Sequence, residues 1–136
     1  DVIHCHGWFA SLVPIYVKKS YKDNPLFTDS KVVISLYDEE FTEDFHPDFP
    51  KKIKYDGITV KDLAYFKKPN YVSLMKMAVD HSDGIILGDK NINKEVKGYA
   101  EKSGKPVLAY QEMERYIDAF SGFYDKVLEE VPVASR

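Results

Sequence analysis

Cysteine is almost missing from this chain: Cys5 stands alone among 136 residues. No internal disulfide can form within it, and a reducing compartment, the cytoplasm, is the expected setting. No apolar run approaches the ~20 residues of a membrane-spanning helix, and no signal-peptide pattern opens the sequence. An excess of one charge is lacking too: 30% of residues are charged, but the signs nearly cancel to a net −3. A nucleic-acid partner would select a basic face, so that class finds no support. Repeats and low-complexity tracts are absent. What is present is 44% hydrophobic and 14% aromatic content, enough for the core of one domain. Asp1 already lies at the start of a strand-like run, as expected of a piece of a longer protein.

The opening run from Asp1 to Tyr16 carries the most information. Val2 and Ile3 bring β-branched bulk to a short strand ending at His6. Gly7 breaks it. Trp8, Phe9, Leu12, Val13, Ile15 and Tyr16 then follow helical spacing, which predicts a helix to about Tyr21. Pro14 must either bend that helix or sit in its first turn behind a Ser11 cap. A strand that turns through glycine into an apolar helix is the first half of a βαβ unit. Ligands of open α/β sheets bind at the carboxyl ends of the strands, so His4, His6 and Trp8 mark the edge where chemistry is expected. His4 and His6 share a face, and Cys5 points to the other, which argues against a Cys–His nucleophile. A metal would need a third ligand such as His46 or Glu39, and two histidines at strand spacing alone do not assign one.

Further on, Lys31 to Tyr37 is the second strand. Asp38 to Pro50 is acidic, with Phe41, Phe45 and Phe49 at four-residue spacing, and reads as a long loop over the sheet edge or as one helical turn that packs the loop down. Ile53 to Ile58 is a candidate edge strand. Thr59 to Asp62 forms a capping-box variant. Tyr71, Leu74, Met75, Ala78 and Val79 predict an amphipathic helix. Gly84 to Leu87 is a buried strand. Asn91 or Asn93 caps a helix with Ile92, Val96, Tyr99 and Ala100 on one face, stopped at Ser103-Gly104. Pro106 to Tyr110 is another strand. A last helix, about Glu112 to Val131, carries Met113, Tyr116, Ile117, Phe120, Tyr124, Val127, Leu128 and Val131 as a stripe. The alternation predicts an α/β fold: an open, mainly parallel sheet with helices on both faces, one domain over 1–131 and a tail at 132–136.

The pattern His4-Cys5-His6-Gly7-Trp8, with Leu12-Val13-Pro14-Ile15-Tyr16 and the Lys31-Val32-Val33-Ile34 strand, resembles the N-terminal Rossmann-like domain of bacterial glycogen and starch synthases. His81-Ser82-Asp83-Gly84-Ile85-Ile86 is a second, looser match. These are retaining glycosyltransferases of two Rossmann-like domains, the GT-B architecture. The resemblance implies a nucleotide-sugar donor, ADP-glucose, and an α-1,4-glucan acceptor, with no cofactor and no metal. It implies that His6, Gly7 and Trp8 line the donor side and that Tyr37, Asp38 and Glu39 form the facing loop.

Two departures matter. The family carries an acidic residue between the second histidine and the tryptophan, where this chain has Gly7. It carries His-Asn at the end of the next strand, where the nearest positions here are Leu36-Tyr37, with Leu36 read as the histidine position. No catalytic residue is therefore assigned. Retaining transfer also needs positive groups closing around a diphosphate from a second domain, which has no counterpart before Arg136. The isolated chain is expected to be inactive. The alternative is a non-catalytic, synthase-derived domain that binds glucan or a protein partner. A flavodoxin- or response-regulator-like signalling domain fits the size but lacks a phosphoacceptor aspartate at a strand end with a partner lysine.

Overall fold

The computed structural model describes residues 1–130. Val131 of the expected last helix, and the 132–136 tail, lie outside the described residues. Four strands, β1 (Val2–His6), β2 (Lys31–Leu36), β3 (Gly84–Leu87) and β4 (Val107–Leu108), form one all-parallel sheet in the order β1-β2-β3-β4. The fourth strand is shorter than the expected Pro106–Tyr110 segment. Helices cover both faces, as the alternation predicted.

The two faces are built differently. On one, Cys5, Val32, Ile34, Leu36, Ile85 and Leu87 pack against α3 (Tyr71–Asp80) and α4 (Lys94–Glu101) through Tyr71, Met75, Ala78, Val79, Val96 and Ala100. A sheet that grows in one direction through crossovers of constant hand places its connecting helices on one side. The other face, with Val33 and Ile86, receives α5 (Tyr116–Glu129) through Phe123 and Val127, with Phe120 and Tyr124 beside them. The expected α5 stripe is therefore rotated: Ile117 is 68% exposed, Met113 83% and Leu128 45%. Phe123, absent from that stripe, is in the core. α5 lies against the sheet because Gly84 has no side chain. A Cβ there would sit 2.7 Å from Val127 Cγ2 and 3.1 Å from Phe123 Cζ.

Local signals start two of the α-helices and one 3-10 segment. Asn70 caps α3, accepting from Ser73 N at 3.0 Å. Asn93, rather than Asn91, caps α4 by accepting from Glu95 N and Val96 N. Thr59 and Asp62 form the reciprocal box, Thr59 N donating to Asp62 at 2.8 Å and Asp62 N to Thr59 Oγ1 at 3.3 Å. It opens a 3-10 segment, Lys61–Lys67.

Two expectations fail. The segment after Gly7 is not one α-helix. A 3-10 turn, Trp8–Ala10, leads into α1 (Val13–Ile15), which widens to π geometry over Tyr16–Ser20. Pro14 does sit in the first turn, where its missing N–H costs nothing. Ser11 is not an N-cap; its hydroxyl donates back to the Trp8 carbonyl at 2.5 Å. The edge strand at Ile53–Ile58 does not form. Pro50 lies in the first turn of α2 (Phe49–Ile53), and Ile53 and Ile58 both drop into a helical cluster with Ile15, Leu63, Phe66, Leu74 and Met77. Of the two readings of Asp38 to Pro50, the loop is the one that forms, as far as Asp48; Phe41 and Phe45 lie on it, and their rings form part of an aromatic chain.

Gly84→Ala should push α5 off the sheet. We expect a loss of about 1–3 kcal/mol in denaturant unfolding. Faster amide exchange should be concentrated in α5, with α3 unaffected until global unfolding.

Candidate functional site

The carboxyl edge of the sheet is assembled around β1 and β2. Beyond His6, Gly7 adopts φ +68 and ψ −172, a region open essentially to glycine alone. Its N–H donates to the Ser35 carbonyl at 3.0 Å and so extends the ladder by one rung. This twist aims the next amide, Trp8 N–H, at the Glu39 carboxylate, which accepts from it through Oε1. Glu39 fills the volume that a side chain at position 7 would need: a Cβ there would collide with its carboxylate. The φ of +68 favours glycine at position 7, and a side chain there would also have to displace the Glu39 carboxylate.

Tyr37 is the hinge of the same edge. Its hydroxyl is 2.7 Å from His6 Nδ1, and the two rings stack at 6.1 Å. Its ring lies against Gly88, where a Cβ would strike it. Burial raises its pKa, and the nearby Glu39 and Asp89 add to the rise, while Ser35 opposes it. Tyr37 therefore stays a neutral phenol that can donate or accept a hydrogen bond. Asp38 N donates to Asp89 Oδ2 at 2.9 Å, tying the acidic loop to the end of β3. Leu36 is fully buried in the core, so the polar strand end belongs to Tyr37.

The loop after Asp38 is held down by aromatic rings. Trp8 meets Phe41 at 5.2 Å, Phe41 meets Phe45 at 5.2 Å and Tyr71 at 5.3 Å, Phe45 stacks on Phe49 at 4.2 Å, and Phe49 meets Phe66 at 5.2 Å. The four-residue spacing of the phenylalanines serves this chain of contacts. The Tyr71 phenol is pushed up to about 12 by burial, with Glu39, Glu40 and Asp38 adding to the effect.

His6, Gly7, Trp8, Tyr37, Asp38 and Glu39 thus fall on one edge. His6 and Asp38 are exposed, Trp8, Tyr37 and Glu39 half-buried, and Gly7 buried. His4 is turned inward. One ring nitrogen meets Tyr124 Oη at 2.6 Å and the other Ser35 Oγ at 2.6 Å, so both are committed to protein. Among the described residues no group of three His, Cys, Asp or Glu is placed to hold a metal. Cys5 is buried on the opposite face and its thiol is pushed up to about 11 by desolvation, which removes nucleophilic character near neutrality. Sequence reasoning missed Gly88, Asp89, Ser35 and Tyr124. The first two follow β3 at the carboxyl edge, and the strand-end rule applied to Gly84–Leu87 would have found them.

The starch synthase catalytic domain matches residues 1–109, and the chain belongs to that family. It is similar to a glycogen synthase of Clostridium perfringens, 30% identical over 100 residues, covering 71% of this chain and 20% of that protein. A Photobacterium profundum glycogen synthase is 28% identical over 71% of this chain and 19% of its own length. One from Chlorobium luteolum reaches 43% identity over 37 residues, 27% of this chain and 8% of that protein. The chain spans about a fifth of the length of the first two relatives. No solved structure matches. No helix among the described residues is long and apolar enough to cross a membrane.

Two measurements check this edge. Gly7→Ala should cost about 1–3 kcal/mol in chemical denaturation. Part of that loss should vanish when Glu39→Ala removes the colliding carboxylate, giving a non-additive double-mutant cycle; strict additivity would place Glu39 elsewhere.

The second concerns His4, whose pKa is lowered from 6.5 to about 4 by burial and then by His6. The folded value lies below the unfolded one, so the unfolded chain takes up a proton first as pH falls. The His4 contribution is complete above pH 6.5, declines down to about pH 4 and is flat below. The stability difference between the parent chain and His4→Gln should shrink over that window by on the order of 2 kcal/mol, after allowance for screening at a half-buried ring. A constant difference would contradict the buried neutral imidazole.

Proposed function

We propose that this chain, one domain over 1–131 within a larger N-terminal half, supplies one wall of a glucosyltransferase cleft. The donor is ADP-glucose, the acceptor an α-1,4-glucan, and the setting cytoplasmic. The observation that carries the reading is the gathering of His6, Gly7, Trp8, Tyr37, Asp38 and Glu39 at one sheet edge in a chain of the starch synthase catalytic domain family.

Each group has a task that its chemistry suits. His6 and Tyr37, coupled at 2.7 Å, present a donor–acceptor pair for sugar hydroxyls. Trp8 offers the edge of an apolar wall. Glu39 brings a carboxylate from the facing loop into the space where the family carries an acidic side chain at the position of Gly7. A negative group beside the donor sugar would stabilise the cationic character that develops at its anomeric carbon. The diphosphate leaving group needs positive donors that this edge does not offer, and they fall to a partner domain across the cleft.

A second reading is favoured by Gly7 and Leu36, which put no ionisable side chain at the two positions the family uses. On it, the domain binds glucan or a protein without transferring sugar. In both readings the isolated chain should incorporate no radiolabelled glucose from ADP-glucose into glycogen above a heat-killed control; clear turnover would overturn the half-cleft account. Binding is tested by titrating the isotope-labelled chain with maltoheptaose and with ADP-glucose. Amide shifts at His6, Gly7, Trp8 and Glu39 are expected, weakened several-fold by Tyr37→Phe. Shifts confined to α5 would contradict the assignment.

A further inference from the structure

The amino-terminal edge of the sheet, opposite the candidate cleft, holds a groove of about 880 Å3 lined by Lys18, Lys19, Lys22, Lys61, Tyr65 and His81, with Asp62 as the carboxylate on its wall. Its volume suits a small ligand. The walls are built, not merely crowded. Lys18 pairs with Asp83 at 2.6 Å, and Asp83 also accepts from Val32 N at 2.8 Å, which fixes Lys18 where β2 and β3 begin. Lys19 pairs with Asp62 at 3.2 Å, itself locked into the capping box by Thr59. Gly57, at φ +82, brings its loop so close to the π-helical turn that a Cβ would lie 2.6 Å from the Lys19 carbonyl.

Lys22 and Lys61 have no acidic partner among the described residues. Four lysines thus line one concavity, two of them without an acidic partner among the described residues, in a chain whose net charge is −3. Such a concentration repels itself and focuses a positive field into the groove. His81 adds no charge near neutrality: burial lowers its pKa, and its Nδ1 lies 2.8 Å from the Met77 carbonyl. The Tyr65 ring is held in place by its hydroxyl, which donates to Asp80.

We propose that this groove binds a phosphate-bearing small molecule. The phosphate sits between Lys22 and Lys61, and the body of the ligand lies along Tyr65. Nothing in this assignment depends on the glucosyltransferase reading, since the two edges share no residue.

The test is titration of the isotope-labelled chain with pyrophosphate and with ribose 5-phosphate at two salt concentrations. Both ligands should give saturable shifts at Lys22, Gly57, Thr59 and Lys61, weaker at the higher salt. Lys22→Glu/Lys61→Glu should weaken both at least tenfold, and the milder Lys22→Gln/Lys61→Gln pair should do so in the same direction with the fold intact by circular dichroism. Lys126→Glu, on exposed α5, should leave both unchanged. Shifts that do not saturate, that spread over lysines elsewhere, that ignore the Lys22 and Lys61 variants, or that appear with pyrophosphate alone would overturn the proposal.

Discussion

The account rests on one close approach: a glycine at position 7, twisted to φ +68, against the carboxylate of Glu39. The twist lets β1 end one rung late on the Ser35 carbonyl and turns the Trp8 amide outward. Glu39 then satisfies an N–H that the short 3-10 turn leaves open. Trp8, fixed by that bond, holds Phe41 and through it the aromatic chain that pins an otherwise solvated acidic loop. The β1–β2 pairing already brings His6 beside Tyr37, and the Trp8–Glu39 bond adds the loop to that edge. Glycine here is a positional requirement, since any Cβ would compete with the carboxylate for the same volume.

The sheet, its parallel sense and most helix caps were legible in the sequence because each rests on local chemistry. Asn93 and the Thr59–Asp62 box cap what they should cap. The β-branched runs at Val32–Ile34 and Ile85–Ile86 are fully or almost fully buried. Errors arose where tertiary packing overrode local pattern. Ile53 to Ile58 reads as a short edge strand, yet both isoleucines serve one helical cluster. The α5 stripe was misplaced because the face that counts is set by Gly84, a residue on another element. The site was half legible. His6 and Trp8 follow from the strand-end rule, whereas Glu39 as a partner of position 7 could be seen only once β1 and β2 were paired. His4 does share a face with His6, their rings stacked at 4.0 Å, and it is also held by Tyr124 from far along the chain, which no local pattern shows.

The polar chemistry divides between the sheet's ends. The carboxyl edge carries Asp38, Glu39 and Asp89 beside a histidine and a neutral tyrosine. The amino edge carries the lysines. In between, the core is mostly apolar on both faces; its buried polar groups include Ser11, Ser30 and Ser82, and a network in which His4 bonds to both Ser35 and Tyr124. A buried polar network fully satisfied in this way fixes the seat of α5 more sharply than apolar contact alone.

The central claim is that the edge around Gly7 and Glu39 is a sugar-binding wall. A crystal structure of the chain with ADP-glucose and a maltooligosaccharide at millimolar concentration tests it most directly. The account predicts a glucosyl unit within hydrogen-bond reach of His6, Tyr37 or Glu39, with the Glu39–Trp8 contact kept or exchanged for a sugar hydroxyl. Ordered sugar bound only on the α5 face, with the carboxyl edge empty, would contradict it.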